Sequence, residues 1–181
     1  MASQISLLME NQPGALSRVI GLFSQRGYNI DSLSVAPTQD PTLSRLTMTT
    51  SESSAVIQQI LKQLYKLIDV VMVQDLKASE SISLEMALIK VLNKSEVISK
   101  IEKNYSSLEF NELDNKDEKT ILRLIGDTDN LESLLVELED DLIEVTRTGA
   151  LGMTLGNVSL ETEEETKVIY RNRRNNGSLL R

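Results

Sequence analysis

The sequence predicts an α+β protein in which one strand-helix-strand-strand-helix-strand unit is followed by a second unit of the same order. Three observations lead there. Short runs of apolar residues alternating with polar ones are separated by segments whose apolar residues recur at helical spacing. The succession of runs starts again after a short polar stretch, residues 77–81, although residue identity between the halves is low. Hydrophobic residues make up 40% of the 181 and aromatics only 3%, so any core must be aliphatic, built from Leu, Ile, Val and Met.

In order, Ser3 to Met9 reads as a buried strand carrying Ile5, Leu7, Leu8 and Met9. Pro13-Gly14 breaks it. Leu16, Val19, Ile20 and Phe23 then recur at i, i+3, i+4, i+7, the apolar stripe of an amphipathic helix, and Gly27 after Arg26 is a C-terminal stop. Asn29 to Ala36 alternates, with Leu33 and Val35 on one face and Ser32, Ser34 and Ala36 on the other. Residues 37–42 hold two prolines and an Asp and form a loop or hairpin connection. Leu43 to Thr50 alternates again, with Leu46 and Met48 on one face and a Thr-rich face opposite. Ser53 or Ser54 caps a helix with the stripe Ile57, Ile60, Leu61, Leu64, and Val70 to Leu76 closes the unit. One hairpin and two helical crossovers place the helices on one face of the sheet, the ferredoxin-like plan.

The second half begins with a strand alternating Ile82, Leu84, Met86 and Leu88 over Ser83, Glu85 and Ala87. Ser95 is the expected cap of a helix with Val97, Ile98, Ile101 and Tyr105. Leu108 to Leu113 is a weaker strand, residues 115–118 a turn, and Thr120 to Ile125 a strand ended by Gly126-Asp127. Asp129 is the expected cap of a helix with Leu131, Leu134, Leu135 and Leu138, and Leu142 to Thr148 is the last strand. A stretch with three glycines (Gly149, Gly152, Gly156) precedes a tail that is acidic at Glu163–Glu165 and basic at Arg171, Arg173 and Arg174. The tail has lost periodicity and reads as mobile, with a short element at Val168-Ile169-Tyr170. The expected layout is therefore residues 1–76, a linker 77–81, residues 82–156 and a charged tail 157–181.

Composition excludes several classes of function. The net charge of −8 disfavours nucleic acid and anionic membranes as partners. There is no Cys and no His, which removes disulfides, thiolate nucleophiles, Cys/His zinc sites and any Ser-His-Asp relay. No apolar run approaches the ~20 residues of a membrane helix. The N-terminus lacks a basic region followed by a long apolar segment, so a cytoplasmic location is expected. An RNA-binding member of this fold would need aromatics on its central strands, and Ser6-Leu7-Leu8-Met9 and Arg45-Leu46-Thr47-Met48 have none.

Asn11 with Pro13-Gly14-Ala15-Leu16-Ser17-Arg18-Val19, followed by Gly27-Tyr28-Asn29-Ile30-Asp31-Ser32-Leu33, resembles an ACT domain. With Ala36-Pro37-Thr38, Asp40-Pro41 and Ser44-Arg45-Leu46-Thr47 the resemblance narrows to the small regulatory subunits of acetolactate synthase (acetohydroxyacid synthase). Residues 85–91 and Arg147-Thr148-Gly149 resemble the two ends of that family's C-terminal domain, whereas Glu96 to Asp117 matches poorly. The resemblance implies a chain without catalytic activity of its own. It would activate a large catalytic subunit carrying thiamine diphosphate, Mg and FAD, and confer feedback inhibition by valine in branched-chain amino acid biosynthesis. It also implies a homodimer through the ACT domains with the amino acid bound at their interface. The effector contacts carried over are Asn11, Gly14, Ala15, Leu16 and Ser17 around the turn, Asn29 and Ile30 on the partner's side, and Ala36 lining the site. The runner-up is a stand-alone ACT-type amino-acid sensor controlling another enzyme or regulator.

These residue types suit an amino-acid ligand. The first turn of a helix offers backbone N–H groups without intrahelical acceptors at the positive end of the helix dipole, so a carboxylate can dock there without Arg or Lys. A glycine allows close approach, and Asn amides both donate and accept. From the residues alone, however, a helix cap is the simpler reading of Asn11 and a turn glycine that of Gly14. Only the resemblance moves both towards ligand binding.

Overall fold

The computed structural model describes residues 3–77, 80–156 and Leu160. Their elements run β1 (Ser3–Glu10), α1 (Ala15–Arg26), β2 (Ser32–Pro37), β3 (Leu43–Thr50), α2 (Ser54–Leu64), β4 (Val70–Leu76), β5 (Ser81–Val91), α3 (Lys94–Asn104), β6 (Glu109–Lys116), β7 (Lys119–Gly126), α4 (Thr128–Glu137), β8 (Leu142–Arg147) and β9 (Leu151–Thr154). The described residues of 1–82 and those from Gly152 onward form one compact unit, and Ser83–Leu151 form another.

The first sheet has the order β2-β3-β1-β4. β1 is central and antiparallel to both neighbours, Ser3 opposite Thr50 at one end and Glu10 opposite Leu43 at the other. Alternation along the strands sends Ile5, Leu7, Met9, Leu46 and Met48 to the helix-bearing face, where they meet Val19 and Phe23 of α1 and Ile57, Ile60 and Leu64 of α2. The predicted stripes are therefore the core. Gly27, at φ 68, ends α1, and its N–H returns to the carbonyls of Phe23 and Ser24. The helix-free face is polar yet buried: Gln4, Ser6 and Thr47 are covered, and Arg45 donates to Ser6 Oγ (3.2 Å) and to the carbonyl of Gly152 (3.0 Å).

The second sheet repeats the plan in the order β6-β7-β5-β8, with β9 also pairing β5. Its core joins Ala87, Ile89, Val91, Leu122 and Leu124 of the sheet to Val97, Ile101, Leu131, Leu134 and Leu138 of the helices. The fold is α+β, two antiparallel sheets each built in ferredoxin-like order, as the periodicities indicate.

Several details differ from expectation. Asp127, not Asp129, caps α4, accepting from the Asn130 amide at 2.9 Å, because β7 runs to Gly126 and the chain turns one residue later. α3 is preceded by Asn93 in left-handed conformation (φ 47) rather than capped by Ser95. β6 extends to Lys116, and the turn narrows to Asp117 and Glu118, both at positive φ. β2 starts at Ser32, so Asn29 to Asp31 lead into the strand rather than belong to it. β9 lies in the glycine-bearing stretch, which had no predicted element. The element expected at Val168-Ile169-Tyr170 lies outside the described residues.

Candidate functional site

The turn between β1 and α1 is held from three directions. The Asn11 amide N–H donates to the Thr42 carbonyl (2.7 Å) and its side-chain Nδ2 to the Pro41 carbonyl (3.0 Å), which clips the turn to the β2–β3 loop. Asn11 is therefore not the cap of α1. Gly14 holds that position, with φ 88 and ψ −16, a left-handed conformation that L side chains adopt only with strain. The Gly14 carbonyl accepts from the Arg18 amide (3.0 Å), and the Ala15 amide is engaged by the Gln12 carbonyl (3.2 Å). The helix thus begins at Ala15, which is buried, and the amides of Leu16 and Ser17 lie in the turn that lacks acceptors within the helix. Leu16 packs partly on the core and Ser17 is exposed.

Asn29 and Ile30 sit elsewhere. Asn29 donates from Nδ2 to Asp31 (2.5 Å), its amide donates to Glu52 Oε1 (3.3 Å), and its carbonyl accepts from Thr50 Oγ1 (2.6 Å). Ile30 packs on the core. Thr50 is the register partner of Ser3, whereas Asn11 follows Glu10, the partner of Leu43. At roughly 3.4 Å per residue the two groups are separated by about 24 Å along β1. Ala36, exposed on the edge strand β2 and opposite Arg45, lies towards the turn end. One protomer therefore brings together Asn11, Gly14, Ala15, Leu16, Ser17 and the Ala36 end of β2, and keeps Asn29 and Ile30 apart from them.

A buried carboxylate organises the turn, and sequence reasoning did not single it out. Asp69, 1% exposed, precedes β4. Its carbonyl accepts from the Glu10 amide (2.8 Å), and its carboxylate accepts from Arg18 through Nε and through Nη2 (2.7 Å) and from Gln12 Nε2 (2.9 Å). Gln12 also donates to Glu10. Residues on both sides of Pro13-Gly14 are thus fixed by one side chain. The Arg18 guanidinium and the Gln12 amide hold the Asp69 carboxyl below its ordinary range despite burial, and Asp69 raises Arg18 in return. The guanidinium nitrogen not engaged by Asp69, Nη1, lies over Gly14: a Cβ there would sit 2.9 Å from it. The space that the missing side chain leaves at Gly14 is taken by Arg18.

The second unit carries the architectural half of this device. Asp141 precedes β8, its carbonyl accepts from the Leu92 amide (2.9 Å), and its carboxylate accepts from Asn93 (2.8 Å) and Lys100 (3.3 Å). It has an ammonium in place of the guanidinium and Asn93 in place of a glycine at the helix cap. Among the described residues no group of three or more Asp and Glu is placed to hold a metal ion, and no helix is long and apolar enough to cross a membrane.

A family model described as an AHAS small subunit-like ACT domain matches residues 5–72, and one described as the small subunit of acetolactate synthase matches residues 84–156. The chain is 42% identical over 154 residues to the acetolactate synthase isozyme 3 small subunit of Salmonella typhimurium, covering 84% of this chain and 94% of that protein. The corresponding Escherichia coli protein is 41% identical over the same length and shares. Among solved structures, the acetolactate synthase small subunit of Thermotoga maritima superposes with a TM-score of 0.76 at 32% identity, covering 87% of this chain and 99% of that one.

Proposed function

This chain belongs to the family of acetolactate synthase small subunits, and we propose that it activates a catalytic large subunit and makes it sensitive to valine. The reading assigns the chemistry, and with it thiamine diphosphate, Mg and FAD, to the partner. This chain supplies an effector site and a surface that the partner reads, in the cytoplasm.

The observation that carries the reading is the separation of the two residue groups along β1. β2 lies at the edge of the first sheet, a position from which a strand can pair with another chain. If two copies pair their β2 strands antiparallel about a two-fold axis, the Ser32 end of one lies beside the Pro37 end of the other. Asn29 and Ile30 of the second copy then approach Ala36 and the Asn11–Ser17 turn of the first. A site that is incomplete in one protomer is completed, twice, by symmetry.

In that site the amides of Leu16 and Ser17 and the positive end of α1 receive the carboxylate of valine. The Asn29 amide answers the polar groups, while Leu16 and Ile30 flank the isopropyl group. Because the ligand binds only the paired form, it biases the geometry of the pair, and coupling of this kind is typically about 1–3 kcal/mol. Titration of valine into the purified chain tests the assignment. Saturable binding with one valine per protomer of a dimer is expected. No binding at millimolar valine removes valine as the effector.

A further inference from the structure

We propose that Arg18 is a further effector-binding residue, held over Gly14 by Asp69 so that Nη1 meets the carboxylate of the bound amino acid. The proposal rests on the assignment of the Asn11–Ser17 turn as the effector site. Three observations carry it. The guanidinium is anchored rather than loose, with Nε and Nη2 both on Asp69, whose side chain is 2% exposed. That anchoring leaves Nη1 directed at the Cβ side of Gly14, 2.9 Å from where a side chain would start. The Arg18 side chain as a whole is 47% exposed, so its outer edge stays accessible to a ligand at the turn.

The second unit shows what the anchor does by itself. Asp141 fastens the corresponding turn through its carbonyl, Asn93 and Lys100, without a glycine under the cation. The buried Asp is therefore common scaffolding, and the arginine above a glycine is the specialised part. A guanidinium suits it: two nitrogens can stay on Asp69 while the third, held in a fixed plane, serves a carboxylate, whereas an ammonium presents all its donors from one nitrogen with no fixed fork. The effector class that follows is a free α-amino acid with an ionised carboxylate, in preference to its amide or alcohol.

The test compares valine with valinamide, which keeps the isopropyl and ammonium groups and lacks the carboxylate charge. Binding of both is measured by calorimetry to the full chain and to Arg18→Gln and Arg18→Lys, each checked for fold by circular dichroism. The chain should prefer valine. In Arg18→Gln the valine affinity should fall by roughly tenfold or more while valinamide is unaffected, so that the preference collapses. Arg18→Lys should show a reduced preference, and decides the matter if Arg18→Gln does not fold. A variant that keeps the full preference for valine overturns the role of Arg18 and leaves the effector site standing. A parent chain that binds neither compound overturns the site and this proposal together.

Discussion

Gly14 makes the sharpest case at the scale of single residues. Its backbone is left-handed, and its missing side chain makes room for Arg18. Gly14→Asp would strain that backbone and put a carboxylate beside the guanidinium, imitating the ligand from within the chain. We expect the variant to retain activation of the large subunit and to lose inhibition by valine, measured as rate against valine concentration. Unchanged inhibition would argue against the pose. Asp69→Ala would keep the backbone bond to Glu10 but leave Arg18 and Gln12 without their common carboxylate, costing about 1–3 kcal/mol in denaturant unfolding. The turn itself was legible because Pro13-Gly14 and the stripe that follows are local signals. The Arg18–Asp69 pair was not, because 51 residues separate its members and a lone Asp before a strand carries no pattern. The cap of α4 was misassigned for a similar reason. Asp127 and Asp129 are both competent acceptors, and the end of β7 chooses between them.

Most elements with strong alternation or helical stripes were readable to within a residue or two, but β2 starts three residues later than expected, and β5 buries Ala87, Ile89 and Val91 while Ile82 and Leu84 of the expected apolar face are exposed. β6 was the weakest, because its register is imposed by β7 and by the Asp117-Glu118 turn while nearly all its side chains are exposed and polar. β9 escaped notice because a glycine-bearing stretch has too few side chains to show a period. Its Gly152 is nevertheless demanding. A Cβ there would overlap Leu76 and come within 2.6 Å of Gln4 Oε1, while the carbonyl is held by Arg45. Gly152→Ala is therefore expected to destabilise the chain by about 1–3 kcal/mol, seen as a lower denaturation midpoint. On β2, Val35 faces the helix side of the sheet opposite Leu46 and is 40% exposed at the edge proposed to pair with a second copy. Val35→Glu should convert a dimer to a monomer by light scattering and abolish valine binding with it. A dimer that survives the change would move the interface away from this edge.

Buried carboxylates tie the stability of the whole molecule to pH, and the most deeply buried one in each unit is Asp69 in the first and Glu85 in the second. Asp69 is held low by Arg18. Burial pushes Glu85 up, but the bonds from Arg147 (2.8 Å to each oxygen) and Thr128 (2.9 Å) outweigh it, and the net shift is downward. Both folded-state values lie below those of the unfolded chain, about 3.9 for Asp and 4.3 for Glu. Their stabilisation is thus present above those values and is lost as the pH falls through them towards the depressed folded ones. The melting temperature should be nearly flat from neutral pH to about 5 and fall steeply below about 4. A flat profile to pH 3 would show that neither pair matters. The measurement that bears most directly on function is the rate of a purified acetolactate synthase large subunit, alone and with this chain, across a valine titration. The account predicts a higher rate on mixing and a valine-dependent decline seen only in the mixture. A rate unchanged by this chain at every valine concentration would contradict it.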